Sequence, residues 1–399
     1  METYRPPEGR RPLYQGADGH RRYDGHHRRH RHRGWGILFL VLLVLVAGAA
    51  AYIERHKIHR EADKLLHLGG TTTTSAPTTT TTTALSVATR PVTASLASWQ
   101  LPTPISHALT LPGPTGDLLV VGGKIASGSS GTGVFLVDAS TGHLSLYANL
   151  VSGVYDGAGV DLGGEVYLFG GAGAGSAVQS FSAPTAPTTS PVGASKAGVL
   201  PQARAGAAAV VVGPTAYIVG GYQGAAADGE VLSTSDGSSF ALVAKLPVAV
   251  RDPAVTASGG EIYLFGGEAL TAASAGTAAH WAPVSDIQRV NPATGQASLV
   301  GHLPVALTGA TAANLNGAVY VAGGHGPAGW NATIWGFEPS GAHVLVAGHL
   351  PHAVAGAGYT TEAGVAWLVG GNSATGQPVG WVPSFRLTGA SGQPPARKP

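Results

Sequence analysis

The sequence predicts an all-β fold of six repeated units carried behind a single transmembrane helix. Three observations lead there. Of 399 residues, 60 are Gly and 27 are Pro, while only 11% are charged and 7% aromatic. A chain this apolar is not disordered, and its glycine content excludes a helical bundle. An apolar strand ending in Gly-Gly recurs six times, with first glycines at Gly122, Gly170, Gly220, Gly266, Gly323 and Gly370. A Leu-Pro, or its degenerate form at Leu150, precedes each doublet by about 20 residues, and two markers held in one phase define a repeat.

Residues 1–34 hold nine Arg against four acids and almost nothing apolar, which reads as a disordered basic cytoplasmic leader. Its histidines alternate with Arg, whose charge opposes a cation, so the leader suits anionic lipid headgroups better than a metal. Residues 35–53 are the predicted transmembrane helix. The stretch Gly34–Ile53 is 20 residues without a charge, and at about 1.5 Å per residue it spans a hydrocarbon layer of about 30 Å. Trp35 and Tyr52 stand at its ends, where amphipathic rings favour the interface. Ala49-Ala50-Ala51 would also suit a signal peptidase, so a cleaved signal peptide is the alternative; the length of the leader favours a signal-anchor. The Arg excess ahead of the span puts the N-terminus in the cytoplasm and the rest of the chain outside the cell membrane.

Residues 54–91 combine a short juxtamembrane helix, with Ile58, Ala62, Leu65 and Leu66 on one stripe, and a Thr-rich linker centred on Thr71–Thr83. The linker has no hydrophobic pattern and reads as a spacer, open to O-glycosylation.

Residues 92–390 are the repeat region. The fourth unit shows its strands best: Ala254-Val255-Thr256 innermost, Glu261–Phe265 second, Ile287–Val290 third and Ser298-Leu299-Val300 outermost, with the turn Asn291-Pro292-Ala293-Thr294-Gly295 between the last two. These residues resemble the kelch repeat, whose units of about 50 residues are four-stranded blades of a β-propeller. The resemblance implies a six-bladed kelch-like β-propeller. Here the outer strands lack most of the Tyr and Trp usual in that family, which weakens any transfer of function. The sixth unit has third-strand residues Trp381–Leu387 but no outermost strand before the disordered tail, residues 391–399. Val92–Leu101 lies where that strand is missing, so it is expected to close the ring and remove two open sheet edges.

In a four-stranded meander, the loops after Leu-Pro and after Gly-Gly emerge on the same face. Aligned on Leu-Pro, with a one-residue offset in the third unit, the start of the innermost strand holds Ser106, Tyr155, Arg204, Arg251, Thr308 and Ala355. The next position holds His107, Asp156, Ala205, Asp252, Gly309 and Gly356. Only four Arg lie in residues 92–390 and two of them, Arg204 and Arg251, fall on this rim. That predicts a site for an anionic or hydroxyl-rich ligand, because guanidinium pairs bidentately with carboxylates. A structural role, with Arg251 pairing Asp252 or Asp156, is the alternative. The longest loop, Glu268–Ser285, adds His280 and Trp281, and the fifth unit adds Trp330; exposed aromatics stack on sugars or anchor a protein, or simply cover a blade. Asn331-Ala332-Thr333 matches a glycosylation sequon.

There is no Cys in the chain. Disulfides, thiol chemistry and the Cys-modified Tyr of copper oxidases built on kelch-like propellers are thereby excluded. The Gly-Gly doublets end strands and lack the Lys-Ser/Thr of a phosphate loop. No cofactor, no metal and no nucleic-acid partner are expected. Two functions remain: a membrane-anchored, extracytoplasmic module binding a protein or a cell-surface glycan, or a sugar epimerase or mutarotase acting on an acidic sugar, an activity the kelch resemblance allows. The second would draw its acid and base from His107, Asp156 and Asp252.

Overall fold

A computed structural model describes residues 90–188, 190–273 and 278–389. The basic leader, the predicted span at 35–53, the Thr-rich linker and the tail at 391–399 lie outside the described residues. No helix among the described residues is long and apolar enough to cross a membrane.

The chain forms a six-bladed β-propeller. Each blade is an antiparallel four-stranded meander, and the fourth is representative: Ala254–Ser258, Glu261–Phe265, Asp286–Asn291 and Gln296–His302, side by side in that order. The expected strands therefore stand where the sequence puts them: the second has the expected bounds, the first and third are two residues longer, and the outermost is four longer. In the turn between the outer two, the Asn291 side-chain oxygen accepts the N–H groups of Ala293 and Thr294. The first blade gains a short fifth strand, Val192–Gly193, lent by the second blade's outer connection and paired parallel with Leu144–Asn149.

The core lies between blades. Buried apolar side chains fall into six clusters, one at each blade junction. The first blade's second strand, Leu118–Val121, is apolar throughout because both its faces are covered. Outer strands have no such cover, and Leu242, Leu299 and Leu345 on them stand exposed.

Both sequence markers are joints. The N–H of each marker Leu (101, 150, 200, 246, 303 and 350) donates to a carbonyl just ahead of a third strand, at 2.7–2.9 Å, and each Leu side chain is buried. The second glycine of each doublet donates its N–H across the blade junction at 2.8 Å, in order to Val154, Arg204, Val250, Leu307, Val354 and Ile105. The first glycine has φ between 60° and 73°, and a Cβ there would press on that same carbonyl oxygen in all six blades. Gly-Gly recurs because the next blade's backbone comes too close for a side chain.

The last of these bonds, Gly371 to Ile105, already crosses from the sixth blade to the first. Closure is completed by Val92–Leu96, which pairs antiparallel with Pro383–Leu387 as the outermost strand of the sixth blade. The Tyr320 hydroxyl donates to the Arg90 carbonyl and accepts its N–H, both at 3.0 Å, fixing the point where this strand begins.

Candidate functional site

At one end of the propeller axis, one residue per blade turns into left-handed backbone just ahead of the innermost strand. These are His107, Asp156, Gly206, Asp252, Gly309 and Gly356, with φ between 51° and 63°. Each donates its N–H to the carbonyl of the equivalent residue in the preceding blade, at 2.7–3.3 Å, and His107 donates to Gly356 to complete the circle. Three residues carry side chains and three are Gly. The side chains lie over the glycines: a Cβ on Gly206 would meet the Asp252 carboxylate, and one on Gly356 the His107 ring.

This ring corrects the sequence alignment in the third blade, where Gly206 and not Ala205 holds the left-handed position. The residues one position earlier are Ser106, Tyr155, Ala205, Arg251, Thr308 and Ala355, bridged to Lys124, Ala172, Tyr222, Glu268, His325 and Asn372. Arg204 falls one further back, in the row of Ile105, Val154, Val250, Leu307 and Val354 that accepts the glycine joint bonds. A one-residue slip along an extended chain reverses the side chain's direction. Arg204 thus points into the interior at 2% exposure, paired with Asp228 and donating to the Gly220 and Glu230 carbonyls. Burial lowers its pKa against the pull of Asp228 and Glu230. It does not reach the rim.

Arg251 does, but its hydrogen-bonding edge is occupied. Its Nε and Nη2 donate to Glu268 Oε2 at 2.7 and 2.5 Å, while Asp252, one of the partners expected from sequence, lies 3.8 Å away. Its guanidinium lies 4.2 Å from the centre of the Trp281 ring and 5.0 Å from that of Tyr222. The long loop is in fact a hairpin, Glu268–Thr271 against His280–Pro283, so Trp281 is a wall of the Arg251 clamp. His280 is exposed on that hairpin, near the Ala278 carbonyl. Tyr155 packs under Lys124. The sequon is spent on structure: Asn331 donates its side-chain N–H groups to Gly323 and Thr333.

A cavity of about 270 Å³ opens above the ring, lined by His107, Asp156, Arg251, Asp252, His325 and Trp330 among others. His107 Nδ1 lies 2.5 Å from Asp156 Oδ1, its Nε2 lies 3.2 Å from the Asn372 amide, and His325 stacks on Trp330. Below the ring runs an axial channel of about 540 Å³, walled mostly by Ala, Gly, Val and Thr of the innermost strands. Among the described residues, no group of three or more His, Asp or Glu could hold a metal. Of the nine rim residues expected from sequence, five line the upper cavity; Arg204, Tyr155 and the hairpin pair His280 and Trp281 stand in three separate settings. Glu268, His325 and Asn372 were missed. Each directly follows a Gly-Gly doublet, and that position was legible in the repeat.

Burial, then the neighbouring Asp156 charge, pushes the Asp252 pKa up to about 7. Burial opposes a charge on His107, but the hydrogen bond and charge of Asp156 outweigh it and hold the pKa above normal. Both groups keep a proton in the folded chain to higher pH than in the unfolded one. An unfolded Asp titrates near about 4 and His near about 6.5, so the folded chain binds more protons across pH 4 to 7 and loses stability as pH rises. The melting temperature should fall from pH 5 to pH 8, and Asp252→Asn, an amide that tolerates φ of 51°, should flatten that slope. Thermal melts across the range check this, and an equal slope in the variant would refute it.

No family model matches the chain, and no curated protein matches it in sequence. Among solved structures, YjhT, itself a propeller, superposes with a TM-score of 0.58 at 17% identity, over 71% of this chain and 95% of that one. At this identity the likeness establishes the fold.

Proposed function

We propose that the chain is a membrane-anchored, extracytoplasmic propeller of kelch type that binds a carbohydrate end group of a cell-surface glycan in the cavity above the left-handed ring. The observation that carries this reading is the cavity itself. At about 270 Å³ it lies near the lower end of ligand pockets, which begin near about 300 Å³. That suits a single sugar unit and is too small for an element of a protein. Its wall combines hydrogen-bonding side chains with the Trp330 indole, the mix of polar and aromatic groups that suits the polar edges and apolar face of a pyranose. The repeated glycine joint supports kelch kinship, and the uncharged stretch behind an Arg-rich leader supports the anchor.

Isothermal titration of the full chain with a panel of monosaccharides tests the reading. Saturable binding of one or more sugars that is lost in Trp330→Ala, with melting unchanged, is the expected result; no binding by any sugar overturns it. One observation favours a second reading, a sugar epimerase or mutarotase: His107, oriented by Asp156, shares a cavity wall with Asp252, an acid whose pKa of about 7 leaves it able to give or take a proton at neutrality. Anomer interconversion followed by NMR separates the two, since a rate unaffected by His107→Gln removes the enzymatic reading.

A further inference from the structure

The charges around the cavity do not favour an anion. Arg251 is closed onto Glu268, and Arg204 is buried with Asp228. All six N–H groups of the ring are consumed by the circular hydrogen bonds, so the ring offers an anion no backbone donor. Acceptors are left over instead. Asp156 is engaged by His107, but the Asp252 carboxylate, facing the same cavity, has as its nearest cationic atom the Arg251 Nε at 3.8 Å, beyond hydrogen-bond range. A second group also lacks a partner: Nδ1 of His325, on the cavity wall, is buried with no hydrogen bond. The Trp330 ring, stacked on His325, also lines the cavity, and aromatic rings attract cations.

We infer that the sugar held in this cavity is an amino sugar with a free, protonated amine, its ammonium paired with Asp252 and its ring laid against Trp330. This rests on the carbohydrate reading above. A metal ion is a poorer occupant than an ammonium, because His107 already holds Asp156 and, among the described residues, no set of three ligands converges. An ammonium needs only one carboxylate at hydrogen-bond distance and gains from the aromatic wall.

The test compares four probes by titration against the full chain at pH 7: glucosamine, glucose, N-acetylglucosamine and glucuronate. Glucosamine should bind about tenfold tighter than glucose, as one charge-assisted hydrogen bond predicts. N-acetylglucosamine, with its amine neutralised, should fall to the level of glucose, and glucuronate should be weakest. Asp252→Asn should bring the glucosamine-to-glucose ratio near one; a thermal melt verifies that the variant is folded. Equal binding of glucose and glucosamine, tighter binding of glucuronate, or an unchanged ratio in Asp252→Asn overturns the amino-sugar assignment and leaves sugar binding standing. Failure of all four probes to bind overturns both.

Discussion

Deleting residues 92–96 should lower the melting temperature by about 10 °C or more. The strand supplies the outer edge of the sixth blade, paired over five residues with Pro383–Leu387, and buries Val92 in the cluster between the fifth and sixth blades. Lost hydrogen bonds at about 1 kcal/mol each and one buried valine at about 1.5 kcal/mol amount to a loss of several kcal/mol. At about 2–4 °C per kcal/mol for a domain of this order of size, that becomes a drop easily read by calorimetry. The deletion also bares an edge of the sixth blade, so the shortened chain should aggregate on heating where the intact one does not. Deleting Thr71–Thr83, a low-complexity tract by sequence, serves as the control and should leave the melt unchanged. Equal melting of both deletions would mean that the N-terminal strand adds nothing to closure.

Gly220→Ala should cost about 3 kcal/mol, far more than a glycine change at a turn. Gly220 has φ of 66°, and a Cβ there would press on the Val250 carbonyl oxygen, which at the same time accepts the Gly221 N–H at 2.8 Å. Left-handed backbone costs an L-residue about 1–2 kcal/mol and overpacking a further 1–3. The molecule supplies its own comparison: Gly213 in the same blade has φ of 60°, yet nothing lies within 4 Å of the position of its missing Cβ. Gly213→Ala should therefore cost only the backbone part, about 1 kcal/mol. Urea denaturation of both variants measures the difference, and equal losses would mean that the blade junction relaxes to admit a methyl group.

These joints explain why the fold was legible before any coordinates. A marker is readable when the same backbone contact recurs in every blade, and both Gly-Gly and Leu-Pro mark contacts made six times. Closure by Val92–Leu96 was legible for a related reason, since a missing fourth strand at one end and a spare one at the other have few ways to combine. The site was harder. Arg204 and Arg251 differ by a single residue of register: the bridged rim residue lies five residues after the marker Leu in all six blades, so the one-residue offset in the third unit is what placed Arg204 on the rim. The bridge from Ala205 to Tyr222 and the ring bond at Gly206 both make Ala205 the counterpart of Arg251. The clamp on Arg251 was illegible because Glu268, its true partner, is seventeen residues away in sequence, whereas Asp252 next door was the obvious candidate. The cross-strand neighbour of Arg251 is Glu268, and the left-handed turn at Asp252 carries that side chain away, so proximity in sequence misleads here.

The hydrogen-bonded circle at the axis also limits how this mouth can vary. Every member must sit at φ near 55°, a conformation that branched and bulky side chains adopt only under strain and that Gly, Asn, Asp and His accept most readily. The chemical alphabet available at the six positions is therefore short: an acid, an amide, an imidazole or nothing. Changes of ligand preference within this architecture should arise in two ways, by exchanging letters of that alphabet around the circle, or by altering the residue after each Gly-Gly, whose backbone is free of the constraint. A guanidinium or an indole reaches the cavity from outside the circle, as Arg251 does from the position just before its ring residue and Trp330 from the short strand paired with His325.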